Sequence, residues 1–387
     1  MVYTLLSPWP DQRNGIADYA YEITRSGSSR VRLVSEVLRP RSIADKVNHE
    51  SIDTFLKTPG QRRLYHFGNN PDHAFLVPLF LRHPGVAVIH DASLHYLAEK
   101  TDTLIPGFFR YAVTDQVGDK ADTLFRLWRS GLKQIHDYTE IKCLTWLKEA
   151  KDVIVHSQYA RRTVAGSLPD ARIHVIPHFA YLNGGYNGIV ERRAAARRTL
   201  GLSPDVFLVS TLGFVTGNKQ YDSVLRGIAA LEPGQRKRVK YYIAGAVRRE
   251  EYDIEAEVRR NGAEDFVTLF DYVSEEMMET LLYASDLIFN LRYPTFGESS
   301  GSAARALGAG AVLVVPEAGA FAELPPQACF QIRSACDVSG DVTDLILGCL
   351  DHPERLEHRR QAAVDHAYSV LTPERCAAQY EEIIYGR

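Results

Sequence analysis

The chain lacks any long uninterrupted apolar run. Its longest candidate, HAFLVPLFLRHPGVAVIH, is broken by Pro78 and Pro84, so no segment reaches the roughly 18 apolar residues of a membrane span. Cysteine is scarce. Cys143, Cys329, Cys336, Cys349 and Cys376 are odd in number and form no CxxC pair, which points to free thiols in a reducing compartment. There is no basic excess, with 45 Lys+Arg against 48 Asp+Glu, and that argues against a nucleic-acid partner. The opening MVYTLLSPWP has no basic n-region and no apolar stretch of signal-peptide length, so no secretion signal is expected. A cytoplasmic protein follows, with peripheral contact at the inner face of a membrane left open. Several chemical signatures are missing as well. No D-x-D triplet, HExxH, cysteine–histidine zinc pattern or GxxxxGK[ST] loop occurs, and His174 and His178 lie on a strand-like run where a spacing of four makes no helical metal face. The expectation is that no metal and no resident cofactor are required.

What is present is a chain of 387 residues with 45% hydrophobic and 24% charged residues. That is too long for one ordinary core and predicts two domains. Apolar runs ended by polar or turn residues predict strands at 2–8, 31–37, 63–68, 86–92, 152–157 and 172–178, with helical segments between them. The stretch 103–150 reads as mainly helical. A Gly- and Asn-rich loop, YLNGGYNG (181–188), reads as the start of a linker. Strands at 206–214, 240–246, 266–273, 287–293 and 311–317 then repeat the scheme. Strand–helix alternation of this kind predicts an α/β protein of two doubly wound parallel-sheet domains, 1–183 and 184–371, each covered by helices on both faces. Ligands of such sheets bind at the carboxyl ends of the strands, so the cleft between two facing domains is the first place to look for function.

RYPTFGESSGSAARALGAG (292–310) is the densest cluster of small and polar residues. A strand-like run leads into it, another follows it, and a helix is predicted to start near its serines. A helix amino terminus carries unpaired N–H groups and partial positive charge. Ser299, Ser300 and Gly301 there would let a phosphate approach the backbone, and Gly308 and Gly310 would end the helix. A carboxylate beside a phosphate is repelled by it, so Glu298 suits sugar hydroxyls instead; capping of the helix is the competing role.

The same stretch resembles the donor site of retaining GT-B glycosyltransferases of the family-four type, which carry an E-x7-E motif at this place. SPWPDQRNGIADYA resembles that family's amino-terminal glycine loop. YHFGNNPDH and VIHDASLHYL resemble its acceptor-domain strand ends, VIVHSQYARR and VIPHF its closing strands, and TLGFVTGNKQYDSVLRGIAAL the first strand–loop–helix of its donor domain. The resemblance implies the GT-B architecture of two Rossmann-like domains facing a cleft, with a final helix, 372–387, crossing back to the amino-terminal domain. It also implies transfer of a sugar from a nucleoside-diphosphate sugar to a hydroxyl acceptor, whether glycan, lipid-linked sugar or small molecule, with retention and without a metal. Polysaccharide biosynthesis is a compatible setting. The pattern departs from the family at two points. Arg305 stands where the second Glu is usual, with Glu298 only seven residues before it, and Phe214 stands where the donor loop usually has arginine.

Carried onto this chain, the resemblance makes Lys219 the cation of the donor pyrophosphate, beside Gly213. Arg292 and Arg305 flank the acidic loop and could supply the charge that Phe214 does not; seven residues from Glu298, Arg305 is expected on a similar helix face. Arg248 would reach the nucleotide, and Tyr272 and Val273 its base. Gly15 would admit the donor phosphate. His90 and Asp91, at the end of a strand, are placed to hydrogen-bond a sugar or take the acceptor proton, and Asp18, His66 and Asn69 would line the acceptor side. A different class of reading is a catalytically inactive GT-B protein that binds sugar nucleotide or glycan, or scaffolds a partner; Phe214 and Arg305 motivate it.

Overall fold

The computed structural model describes residues 1–12, 14–37, 43, 46–182, 185–247, 249 and 252–386. The chain divides into two compact units. One is Met1–His178 with Phe296–Gly301 and Pro373–Arg387; the other is Phe179–Thr295 with Ser302–Thr372.

Among the described residues the first unit is built on a seven-stranded sheet. Its strands are β1 (Val2–Leu6), β2 (Arg30–Val34), β3 (Val47–His49), β4 (Arg63–Phe67), β5 (Val86–Ile89), β6 (Asp152–Val155) and β7 (Arg172–Val175). They run in the order β3-β2-β1-β4-β5-β6-β7, every pair parallel. The central strands are apolar on both faces because helices cover both. Phe67, Phe80 and Trp146 meet edge-to-face with centroids 5.2–5.8 Å apart in that core, in the geometry that aromatic quadrupoles favour. The stretch 103–150 contains the helices Phe108–Val117, Ala121–Arg129 and Ile135–Glu140. The carboxy-terminal helix Pro373–Tyr385 packs on the first helix, Gly15–Ser26, where Tyr19 Oη and Tyr380 Oη are 3.0 Å apart. The Glu381 carboxylate ties this helix down by accepting from Ser28 N and Ser29 N, both at 2.7 Å.

The second unit holds a six-stranded sheet among its described residues, in the order β10-β9-β8-β11-β12-β13, again parallel throughout. The strands are β8 (Phe207–Leu212), β9 (Val239–Ala244), β10 (Val267–Phe270), β11 (Leu287–Phe289), β12 (Leu313–Pro316) and β13 (Cys329–Ile332). Both β3 and β13 are short edge strands whose sequences carry no clean apolar run, so pattern alone passes over them. The expected strands are real but shorter at their carboxyl ends, where the chain leaves the ladder while many of the following side chains stay buried. The expected loop 181–188 is corrected in part: a helix, Gly185–Thr199, begins inside it. No helix among the described residues is long and apolar enough to cross a membrane.

Candidate functional site

In the second unit, the carboxyl edge of the sheet gathers several of the expected donor residues. Gly213 follows β8 with φ +90°, a left-handed conformation that favours glycine. Its N–H donates to Ala244 O at 2.9 Å. A Cβ on Gly245, just past β9, would lie 2.2 Å from Gly213 O, so glycine lets the two strand ends cross closely. A Cβ on Gly213 would in turn meet Lys219 Nζ at 3.4 Å and Ser302 Oγ at 3.8 Å. The lysine ammonium and the serine hydroxyl therefore converge on one small space beside a bare backbone.

Lys219 is placed there by a tight local geometry. It ends a single 3-10 turn, Gly217–Lys219, and the next residue, Gln220, has φ +55° and redirects the chain into the helix Tyr221–Ala229. Lys219 thus lies two residues before that helix. Its side chain is buried, and Nζ donates to Leu212 O at 3.1 Å. The helix Gly301–Gly308 brings Ser302, whose Oγ donates to Asn290 Oδ1 at 3.4 Å. Asn290 and Ser302 belong to the same cluster and were not singled out from sequence, because an Asn just past a strand and a serine in a run of small residues carry no spacing signal. Arg292 is buried, its Nη1 donating to Leu291 O at 2.7 Å. Tyr293 N donates to Asn218 O at 2.8 Å and pins this loop to the Lys219 turn.

Other donor candidates are placed differently. Phe214 and Tyr272 are exposed, and Val273 is half-buried. Arg305 lies on the helix Gly301–Gly308, its guanidinium 4.0 Å from the Tyr181 ring centroid and 3.7 Å from Glu275 Oε1. Glu298 lies before that helix and not on it, so the helical spacing expected between the two does not apply. Ser299 and Ser300 likewise precede the helix, which Gly301 opens with nothing near the place of its missing Cβ. Arg248 lies outside the described residues.

In the first unit, Glu298 Oε2 accepts from Phe296 N at 2.7 Å, and Ser299 N donates to His90 O at 3.2 Å. Asp91 Oδ2 accepts from Asn69 N at 2.7 Å, while Asn69 Oδ1 accepts from Leu97 N at 3.0 Å. The Asp91 acid is pushed up to about 7, first by desolvation and then by the charge of Glu298, against the lowering effect of the Asn69 bond. A carboxyl held near neutrality can give or take a proton at physiological pH.

His66 and His90 are not open to a ligand in the expected way. His66 Nδ1 lies 3.0 Å from His90 Nε2, and His90 Nδ1 lies 3.1 Å from His156 Nε2. Both ring nitrogens of His90 are engaged by other imidazoles, which removes the direct sugar contact expected of it and leaves its backbone carbonyl facing Ser299. All three rings are buried, and burial holds each imidazole below its ordinary range, His156 at about 4. His156 was not singled out, although the apolar runs ending in YHF, VIH and VIVH repeat one signal: a histidine at or just past the carboxyl end of a strand.

Gly15 is exposed and opens the first helix, with Asn14 as its cap. Asn14 Nδ2 also donates to Asp72 Oδ2 at 2.8 Å. Asp18 is half-buried in that first turn, where an acid suits the helix dipole. Among the described residues, no group of three or more His, Cys, Asp or Glu is placed to hold a metal ion.

No family model matches the chain. A D-inositol 3-phosphate glycosyltransferase of Catenulispora acidiphila is 27% identical over 183 residues, a match spanning 45% of this chain and 42% of that relative. Among solved structures, the chain resembles WaaG, a glycosyltransferase involved in lipopolysaccharide biosynthesis, with a TM-score of 0.67, 15% identity and full coverage of both chains. HepE of Anabaena, solved in complex with UDP and glucose, gives 0.67 at 14% identity, again over both whole chains. Sucrose-phosphate synthase of Thermosynechococcus elongatus gives 0.68 at 12%, covering 100% of this chain and 98% of that one. At such identities these likenesses establish the fold, and the fold is GT-B.

Proposed function

We propose that the chain is a nucleotide-sugar-dependent glycosyltransferase that moves a sugar from a nucleoside diphosphate to a hydroxyl acceptor. The observation that carries this reading is the convergence of Lys219 Nζ and Ser302 Oγ beside Gly213. A buried ammonium, a hydroxyl and a bare backbone at the carboxyl edge of a parallel sheet suit a diphosphate better than any neutral ligand. A protein of the same fold, HepE, is solved with UDP and glucose and with UDP-glucose, which makes a uridine diphosphate sugar the first donor to try.

In this reading Lys219 stabilises the charge that develops on the leaving diphosphate, together with amides at the start of Gly301–Gly308. Glu298 offers a carboxylate to sugar hydroxyls. Asp91 meets the acceptor hydroxyl. Retention of configuration and independence of added metal belong to the proposal: the charge is met by side-chain and backbone donors, and the leaving phosphate takes the acceptor proton. The second reading, an inactive sugar-nucleotide-binding protein, draws on Arg305, which is engaged with Tyr181 and Glu275 within its own unit.

A panel of nucleotide sugars, followed by binding and slow donor hydrolysis with and without EDTA, tests this. Turnover that survives EDTA and is lost in Lys219→Ala and Glu298→Ala is the expected result. Binding without turnover across an acceptor screen favours the inactive reading. No binding of any nucleotide sugar sinks the assignment.

A further inference from the structure

The three linked imidazoles form a directional chain whose tautomers follow from its last member. His156 Nδ1 is 2.9 Å from Ile176 O. A carbonyl only accepts, so His156 carries its proton on Nδ1 and, being neutral, presents a bare Nε2. His90 must therefore donate from Nδ1 to that Nε2, and its own Nε2 must accept from His66 Nδ1. His66 is left with a bare Nε2 that is buried and has no hydrogen-bond partner among the described residues.

The register explains how the rings meet. His66 pairs with Val88 across β4 and β5, and Val88 with Ile154 across β5 and β6. Two residues further on, His90 and His156 fall on the same face of adjacent strands, because side chains alternate with a period of two. The bond from His90 N to Phe67 O (3.0 Å) and that from Asn69 N to Asp91 Oδ2 (2.7 Å) join the same two strand ends. The first helix covers the chain with Tyr19, whose ring lies 5.0 Å from His90 and 5.3 Å from His156. The final helix adds Tyr380, stacked 6.1 Å from His66, and His73 Nδ1 contacts His66 O at 2.8 Å. His178 borders Tyr19 and His156.

We propose that His66 and His156 are positioning residues: through His90 they lock the ends of β4, β5 and β6 together and so set the Asp91 carboxyl at the edge of the sheet. Its use with an acceptor hydroxyl rests on the glycosyltransferase reading; the brace itself does not. The chain is one bond deep at every step, so losing the His66 donor frees the His90 ring to turn and loosens the residue that follows it.

Two substitutions separate this from bulk packing. Asparagine at position 66 can place an N–H where Nδ1 stands; glutamine reaches the Nε2 position instead. In donor hydrolysis, His66→Gln lowers kcat by about tenfold with KM for the nucleotide sugar within about twofold, whereas His66→Asn stays within about threefold of wild type. Carboxyl NMR shows Asp91 titrating near neutrality in wild type and His66→Asn, and moving toward the usual carboxylate range in His66→Gln. Imidazole 15N spectra of the unaltered protein show Nδ1–H forms for His66, His90 and His156. Equal kcat in the two variants of an active enzyme, an unmoved Asp91, or Nε2–H histidines in wild type each overturn the proposal. A wild type that binds no nucleotide sugar defeats the transferase reading instead, and the Asp91 titration then decides the brace on its own.

Discussion

Lys219 shows why a residue can be read from sequence while its energetics cannot. A lysine after GFVTGN invites a role with an anion, but the spacing says nothing about burial. The structure buries the side chain and gives Nζ to the Leu212 carbonyl. A buried ammonium costs stability unless its surroundings repay the desolvation, so such a lysine fits a site shaped for a ligand's charge. Lys219→Met keeps the volume and drops the charge. It should unfold at a temperature no lower than wild type while losing at least about tenfold, or 1.4 kcal/mol, in affinity for a nucleoside diphosphate. Thermal melts with and without UDP check both halves: the ligand-induced rise seen in wild type disappears in the variant. The histidines are the opposite case. Their role depends on three strands standing side by side, and strand order is not written in local spacing.

At the scale of elements, the helix Gly185–Thr199 was hidden by its first residues. Glycine and asparagine argue for a loop, yet VERRAAARR supplies strong helix formers, and tertiary contacts decide the matter. Arg193 Nη2 and Arg197 Nη1 reach Asp286 at 2.5 and 3.1 Å, and Asp286 Oδ2 also accepts from Leu208 N at 2.8 Å. Arg360 adds a third guanidinium at 3.8 Å. One buried carboxylate thus docks two helices onto β8. Asp286→Ala leaves three arginines facing one another without it and should cost about 3–5 kcal/mol, read as a lower urea midpoint. The glycines of the stretch 292–310 separate in the same manner. A Cβ on Gly308 would sit 1.9 Å from Tyr181 O, whereas one on Gly301 would meet nothing within 4 Å. Gly308→Ala should therefore destabilise by about 2 kcal/mol or more. Gly301→Ala should fold normally and, on the proposed function, weaken donor binding by crowding the helix start. Most strands of both sheets were legible because parallel sheets buried on both faces need continuous apolar runs; β3 and β13, short edge strands without such a run, were not.

Across the whole molecule, the neutral buried histidines tie stability to pH. His66 and His90 are held well below the ordinary imidazole range, and His73, His95 and His156 at about 4, in each case chiefly by desolvation. An unfolded histidine titrates near 6.5. Above that pH neither state is protonated and the fold loses nothing. Between about 6.5 and 4 the unfolded chain takes up protons that the folded first unit refuses, so stability falls as the solution becomes acidic. Asp91 works in the other direction. With its acid pushed up to about 7, the folded state holds one proton that an unfolded aspartate, titrating near 3.9, has released. Over the middle of this window, where the unfolded histidines are largely charged, these five histidines press for acid unfolding and Asp91 against it. The net slope from these groups should approach four protons, about 5 kcal/mol per pH unit. Urea titrations at pH 7.5, 6 and 5 measure it. A midpoint that holds steady from pH 7.5 to 5 would mean the imidazoles take up protons within the fold, whereas a steep loss, eased in His73→Asn by about one proton's share, would locate the acid sensitivity in the first unit.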